Sequence, residues 1–115
     1  MKQKIFVGIG SGAIQLGLWA YYAYKTGMKI VLVEVDNTKV QAIRNNQNCY
    51  YINIAQFDKI VTEKIGPVEI YNPSVPEERK KILDYISTAN DIVTAVPSVS
   101  FYEKGVTAFK RRVEK

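Results

Sequence analysis

The apolar residues of this chain fall into short runs, and the first run stops at a cluster of glycines. Residues 4–9 form a run rich in β-forming residues that ends before Gly10. Residues 13–26 are apolar almost all round, and Gly27 then offers a left-handed stop. The pattern predicts a buried strand, a glycine turn and a helix packed on a sheet.

The following segments continue this alternation. Residues 30–35 are β-branched and too short for a helix, so they predict a second strand. Polar side chains at 36–38 can cap a helix whose apolar stripe includes Val40 and Ile43. Residues 50–54 predict a third strand. Parallel strands joined in this way need crossover helices, which are almost always right-handed.

The second half of the chain is less regular. Residues 58–71 hold Gly66-Pro67 between two alternating stretches, which predicts a hairpin or meander. Residues 77–89 predict a helix, residues 91–96 a fourth strand, and residues 100–113 a last amphipathic helix. A length of 115 residues without repeats or linkers indicates a single α/β domain over residues 1–115.

Composition excludes several kinds of chemistry. The chain has no histidine and one cysteine, which excludes Cys/His zinc sites, Ser-His-Asp catalysis and an internal disulfide. We expect Cys49 to be a buried small residue rather than a nucleophile. The net charge of +5 comes from scattered basic residues and two short runs on predicted helices. Solvated helix faces explain these runs best, so no nucleic-acid partner is expected.

One stretch is long enough to be tested as a membrane span. Residues 5–24 are uncharged over 20 positions, about the length that crosses a bilayer. Glycines, a serine and a glutamine dilute its hydrophobicity, and no small-residue cleavage pattern follows. We therefore expect a soluble, cytoplasmic protein with no membrane partner.

The glycine turn carries the first functional signal. A strand, a glycine turn and a helix start build a dinucleotide site, because helix N-terminal amides and the helix dipole favour a pyrophosphate. Two registers of G-x-G-x-x-G/A are open, one on Gly8, Gly10 and Ala13 and one ending at Gln15. The second is preferred because it follows a full-length strand. Its candidate pyrophosphate-binding residues are Gly10, Ser11, Gly12, Ala13, Ile14 and Gln15.

An acid at the end of the second strand is the expected partner signal, since it accepts hydrogen bonds from the adenosine ribose. Glu34 lies 19 and Asp36 21 residues after Gln15, and either could reach, with Glu34 preferred. No arginine occurs before Arg44, so the predicted cofactor is NAD rather than NADP. The expected fold is a Rossmann-like, doubly wound, mostly parallel sheet of order 3-2-1-4 with an added hairpin or meander. The end of strand four, Ala95, Val96 and Pro97, would then line the nicotinamide side.

Four stretches together resemble the N-terminal coenzyme domain of the mannitol-1-phosphate 5-dehydrogenase and mannitol dehydrogenase family. They are residues 10–17, 33–37, 40–43 leading to 50–54, and 94–96. The resemblance implies an NAD-dependent oxidoreductase that interconverts a sugar alcohol and a ketose by hydride transfer. It also implies that residues 10–15 hold the pyrophosphate, Glu34 the ribose, and residues 95–97 the nicotinamide side. Gln15 and Leu16 depart from the family, which usually has a small residue or histidine and then a basic residue.

The resemblance also implies where catalysis would come from. In that family the catalytic lysine and the substrate-binding groups lie in a helical C-terminal domain, which residues 1–115 do not include. We therefore assign no catalytic residue, and expect cofactor binding without turnover, sugar-alcohol binding only with such a domain, and a capacity to self-associate. The alternative is a stand-alone regulatory module similar to the nucleotide-sensing domains of potassium channels.

Overall fold

The computed structural model describes residues 3–95, which form an α/β fold with a parallel sheet and a separate hairpin. The strands are β1 (Ile5–Ile9), β2 (Lys29–Val33), β3 (Tyr50–Ala55), β4 (Ile60–Ile65), β5 (Glu69–Tyr71) and β6 (Asp91–Thr94). The helices are a π-helical segment (Gln15–Trp19) that continues into α1 (Ala20–Lys25), then α2 (Asn37–Asn45) and α3 (Pro76–Thr88). Residues 13 and 14 extend the first helix toward its N-terminus.

The parallel sheet has the strand order β5-β2-β1-β6. β1 pairs in parallel with β2 on one side and with β6 on the other. Val7 and Val31 are completely buried, because layers of structure cover both faces of these inner strands. The uninterrupted apolar runs of the sequence reflect this two-sided burial.

The predicted order 3-2-1-4, with residues 50–54 as the third strand of the sheet, is wrong in that position. β5 lies beside β2 instead, while β3 pairs antiparallel with β4, from Tyr50 opposite Ile65 to Ala55 opposite Ile60. The burial of β3 explains the difference, since exposed residues alternate with less exposed ones along it. Such alternation is typical of a strand with one face exposed to solvent. In β5, by contrast, Ile70 is buried at 1% exposure.

Helices cover both faces of the parallel sheet. On one face, Phe6 and Leu32 pack in a core with Ala20 of α1 and Val40 of α2. The hairpin contributes Tyr50 and Ile65 to the same core, close to the buried Cys49. On the other face, the core consists of strand residues and α3 residues: Val7, Ile9, Val31, Val33, Ile82, Ile86 and Ala89.

The predicted helix ends are confirmed where the structure describes them. Gly27 has a φ of +83° at the end of the first helix, a conformation that suits glycine. The Asp36 side chain accepts a hydrogen bond from the Thr38 amide and caps α2. The predicted last helix at 100–113 lies outside the described residues. Between residues 3 and 95, none of the helices combines the length and the apolar character that crossing a bilayer requires.

Candidate functional site

The carboxyl ends of β1, β2 and β6 meet at one edge of the parallel sheet. The chain runs outward from β1 to β2 and β5, then returns to place β6 on the other side of β1. The Gly10 amide donates to the Val33 carbonyl at 2.8 Å, and the Ala95 amide donates to the Ile9 carbonyl at 2.9 Å. The turn after β1 is therefore fixed to both neighbouring strands, at the position where open parallel sheets bind ligands.

Among the residues that the structure describes, the glycine turn borders open space at Gly12, and we call this space the notch. Gly10 has a φ of +95°, which only glycine adopts without strain. A Cβ placed on Gly12 would meet no atom of residues 3–95 within 4 Å, so this residue faces open space in that part of the chain. The Leu16 amide donates to the Gly12 carbonyl at 3.0 Å, whereas the amides that precede it in the first turn have no helical carbonyl to bond. The notch therefore borders free backbone donors.

Glu34 connects the end of β2 to this turn. Its carboxylate is buried at 5% exposure. One oxygen, Oε1, accepts from the Ser11 amide at 3.0 Å and from the Ser11 hydroxyl. The other, Oε2, accepts from the Asp36 amide at 2.9 Å. The predicted ribose acid is thus hydrogen-bonded to the glycine turn itself.

Gln15 lies beneath the turn, against the sheet. Its side chain is fully buried, and Nε2 donates to the Val93 carbonyl at 2.9 Å and to the Ile9 carbonyl at 3.3 Å. It does not fill the notch at Gly12, since a Cβ placed there has no Gln15 atom, or any other atom of the described residues, within 4 Å. Gln15 therefore joins β1 to β6, and its Oε1 is a buried acceptor without a hydrogen-bond partner among residues 3–95.

Gly8 provides the room for Gln15. A Cβ on Gly8 would lie 2.9 Å from Cδ and 3.1 Å from Nε2 of Gln15. The helix also widens here into the π-helical segment Gln15–Trp19, where the Tyr50 hydroxyl donates to the Leu16 carbonyl at 3.0 Å. Segments of π-helix are frequent at functional sites. The sequence analysis missed this role of Gly8, although a glycine within an apolar strand was a signal for it.

No family model matches this sequence, and no curated protein is significantly similar to it. The geometry nevertheless brings most of the predicted site residues to one edge of the sheet. Residues 10–15 form the turn and the first helical turn, Glu34 and Asp36 follow β2, and Ala95 follows β6. The turn falls after a full-length strand, as the register through Gln15 predicts. Val96 and Pro97 lie outside the described residues.

The charges around the ends of β2 and β5 are also arranged in a definite way. Asp36 is exposed beside Glu34. Arg44 donates to the Ile70 carbonyl and to Glu78, and Arg79 donates to the Pro73 carbonyl at 2.8 Å. Both arginines within residues 3–95 are therefore engaged with groups other than the acids that follow β2.

Proposed function

We propose that this chain binds NAD at the carboxyl ends of β1, β2 and β6, as the Rossmann-like coenzyme unit of an oxidoreductase. The observation that carries the proposal is the notch at Gly12. Within the described part of the chain it holds no side chain, borders the first amides of a helix, and lies where the strand order reverses. A diphosphate fits these features because amide donors and the helix dipole stabilise its charge without a side chain in the way.

The residues present fit the two halves of the cofactor. Amides of residues 12–14 would hold the pyrophosphate, Glu34 and Asp36 would accept from the adenosine ribose, and Ala95 would lie on the nicotinamide side. The bound cofactor would supply the hydride acceptor or donor. The residues of this chain would bind and orient it, and none is assigned a catalytic role.

A preference for NAD over NADP follows from the acids. A 2′-phosphate on the ribose would meet Glu34 and Asp36, whereas Arg44 and Arg79 are bonded to Glu78 and to the Pro73 carbonyl. Like charges at short distance in a partly buried site repel strongly. The two acids, Glu34 and Asp36, therefore support NAD rather than NADP as the cofactor.

The substrate class rests on the family resemblance. We propose a sugar alcohol of the mannitol or mannitol 1-phosphate class, converted to a ketose by hydride transfer when a substrate-binding part is present. An unpaired cysteine, Cys49, is compatible with a cytoplasmic location.

Titration with NADH tests the proposal, with Gly12→Ala as the critical variant. Gly12 lacks a positive φ and its Cβ has space, so the variant should fold as well as the wild type. The methyl group would nevertheless enter the notch and raise the Kd by at least about tenfold. Quenching of the single tryptophan, Trp19, by NADH gives the readout.

Gly17→Ala is the matched control, because it adds a methyl group to the same helix at a site that also has nothing within 4 Å. It should leave the Kd for NADH unchanged. Equal binding by the Gly12→Ala variant and the wild type would reject the notch as the pyrophosphate site. Tighter binding of AMP or ATP than of NAD would favour the nucleotide-sensing module instead.

Glu34→Ala tests the choice of cofactor. Loss of the carboxylate should weaken NAD binding and reduce discrimination against NADP, because the ribose loses its acceptor and a 2′-phosphate loses a repelling charge. The measurement is the ratio of the two Kd values. An unchanged ratio would exclude Glu34 as the ribose acid and leave Asp36.

A further inference from the structure

The carboxylate of Glu34 is already occupied by donors from its own chain. It accepts from two backbone amides, Ser11 N at 3.0 Å and Asp36 N at 2.9 Å, and from the Ser11 hydroxyl. Because Glu34 is only 5% exposed, water has little access to these hydrogen bonds. A carboxylate has about four lone-pair positions. Both positions on Oε1, the oxygen bonded to the glycine turn, are in use, and the remaining one is on Oε2 beside the Asp36 amide.

These three donors differ in their freedom to move. The Ser11 amide follows Gly10, whose own amide is bonded to β2, and the Asp36 amide directly precedes α2. Both belong to backbone that is fixed by the fold. The Ser11 hydroxyl is a side-chain donor that leaves Glu34 by rotation about one bond. It is therefore the donor that a ligand hydroxyl can replace.

We propose that the Ser11 hydroxyl competes with the adenosine ribose for Glu34 and thereby sets the affinity of the site for its cofactor. The inference rests on the proposed function and goes beyond it. In the structure, the hydroxyl holds the turn to β2 and satisfies a buried carboxylate. On binding, a ribose hydroxyl takes its place on Oε1, so each binding event breaks one charge-assisted hydrogen bond before forming another.

Ser11→Ala removes the competitor and keeps the backbone amide. It should lower the Kd for NAD about fivefold, the effect of one hydrogen bond of ordinary net strength. The same decrease is expected for AMP, which carries the adenosine ribose. It is not expected for 2′,3′-dideoxy-AMP, which lacks both ribose hydroxyls. Calorimetric titration of the full chain with the three ligands provides these values.

The controls separate the hydroxyl from general effects of the substitution. Ser11→Gly should reproduce the effect of Ser11→Ala, whereas Ser11→Thr keeps a hydroxyl and should bind NAD as the wild type does. Ser74→Ala alters an exposed serine two residues after Asn72 and should leave the Kd for NAD unchanged. Circular dichroism spectra verify that each variant is folded. If only one of Ser11→Ala and Ser11→Gly is folded, its Kd is sufficient for the test.

The outcomes distinguish this inference from the function on which it rests. If the wild type binds NAD but removal of the hydroxyl weakens binding or leaves it unchanged, the competition is overturned and the NAD site stands. An equal gain with 2′,3′-dideoxy-AMP would also overturn the competition, because the ribose hydroxyls would then be irrelevant. If the folded wild type binds none of the ligands, the proposed function itself is rejected.

Discussion

At the scale of single residues, two buried polar side chains, Gln15 and Glu34, hold the glycine turn and the first helix against the sheet. Gln15 stood out as a departure from a glycine pattern, and Glu34 as an acid at a strand end. The contact of Gln15 with Gly8 depends on how closely the first helix approaches β1, and that of Glu34 with Ser11 on the direction of the turn. Periodicity determines neither, because contacts between a strand and a helix are set by tertiary packing.

The Gly8 and Gln15 pair gives a stability prediction. Gly8→Ala should lower the free energy of unfolding by about 1–3 kcal/mol, since overpacking a filled core forces a shift. The new Cβ would lie 2.9 Å from a Gln15 side chain that two carbonyls hold in place. Urea denaturation measures the loss, with Gly17→Ala as the control for adding a methyl group.

The double variant tests the cause of that loss. Gln15→Ala alone should also destabilise, because it removes two hydrogen bonds and leaves a cavity. In the double variant Gly8→Ala/Gln15→Ala, the new methyl group occupies the space that Gln15 vacates. The loss of unfolding free energy should therefore be smaller than the sum of the two single losses by at least about 0.5 kcal/mol. Strictly additive costs would show that the two side chains do not share one volume.

At the scale of elements, alternation predicted strands but not their pairing: the two stretches of the predicted hairpin or meander at residues 58–71 pair with β3 and β2 instead of with each other. Residues 50–54 are predicted as the third strand of the parallel sheet, yet their one-sided burial suits a hairpin. The three-residue strand β5 takes the position beside β2 instead. A segment this short carries too little periodicity to reveal its place in the sheet.

Arg44 secures that short edge strand. Its guanidinium donates from α2 to the Ile70 carbonyl of β5 at 2.7 Å and to Glu78 of α3. Glu78 also accepts from the Asn72 amide at 3.0 Å. Burial raises the pKa of Glu78, but the Asn72 amide and the Arg44 guanidinium outweigh it and hold the pKa below its usual value.

A pH dependence of stability follows from Glu78. Because its pKa is lower in the folded state, its contribution is fully present above the ordinary pKa of 4.5 and is lost as the pH falls through the folded value. Between about pH 6 and about pH 3, the wild type should therefore lose more stability than Glu78→Gln in urea denaturation. Glu77→Gln, the exposed neighbour, should retain the wild-type slope. Parallel losses in the wild type and Glu78→Gln would contradict the assignment.

At the scale of the whole molecule, the alternation of apolar runs was sufficient to predict an α/β fold. Buried parallel strands must be continuously apolar, and few other architectures produce this pattern. The first helix differs from expectation, since an apolar surface does not show which side meets the sheet. Ala20 and Ala23 are buried, whereas four large residues on this helix are exposed by 40% or more: Ile14, Leu18, Trp19 and Tyr22.

The exchange of volume between Gly8 and Gln15 has a consequence for how such turns are recognised. Where a helix and a strand approach closely, either of the two can be the one that lacks a side chain at the contact. Here it is the strand, at Gly8. The glycine fingerprint is then one of two solutions to a single steric requirement. Sequence patterns written for the helix alone would overlook chains that meet this requirement from the opposite side.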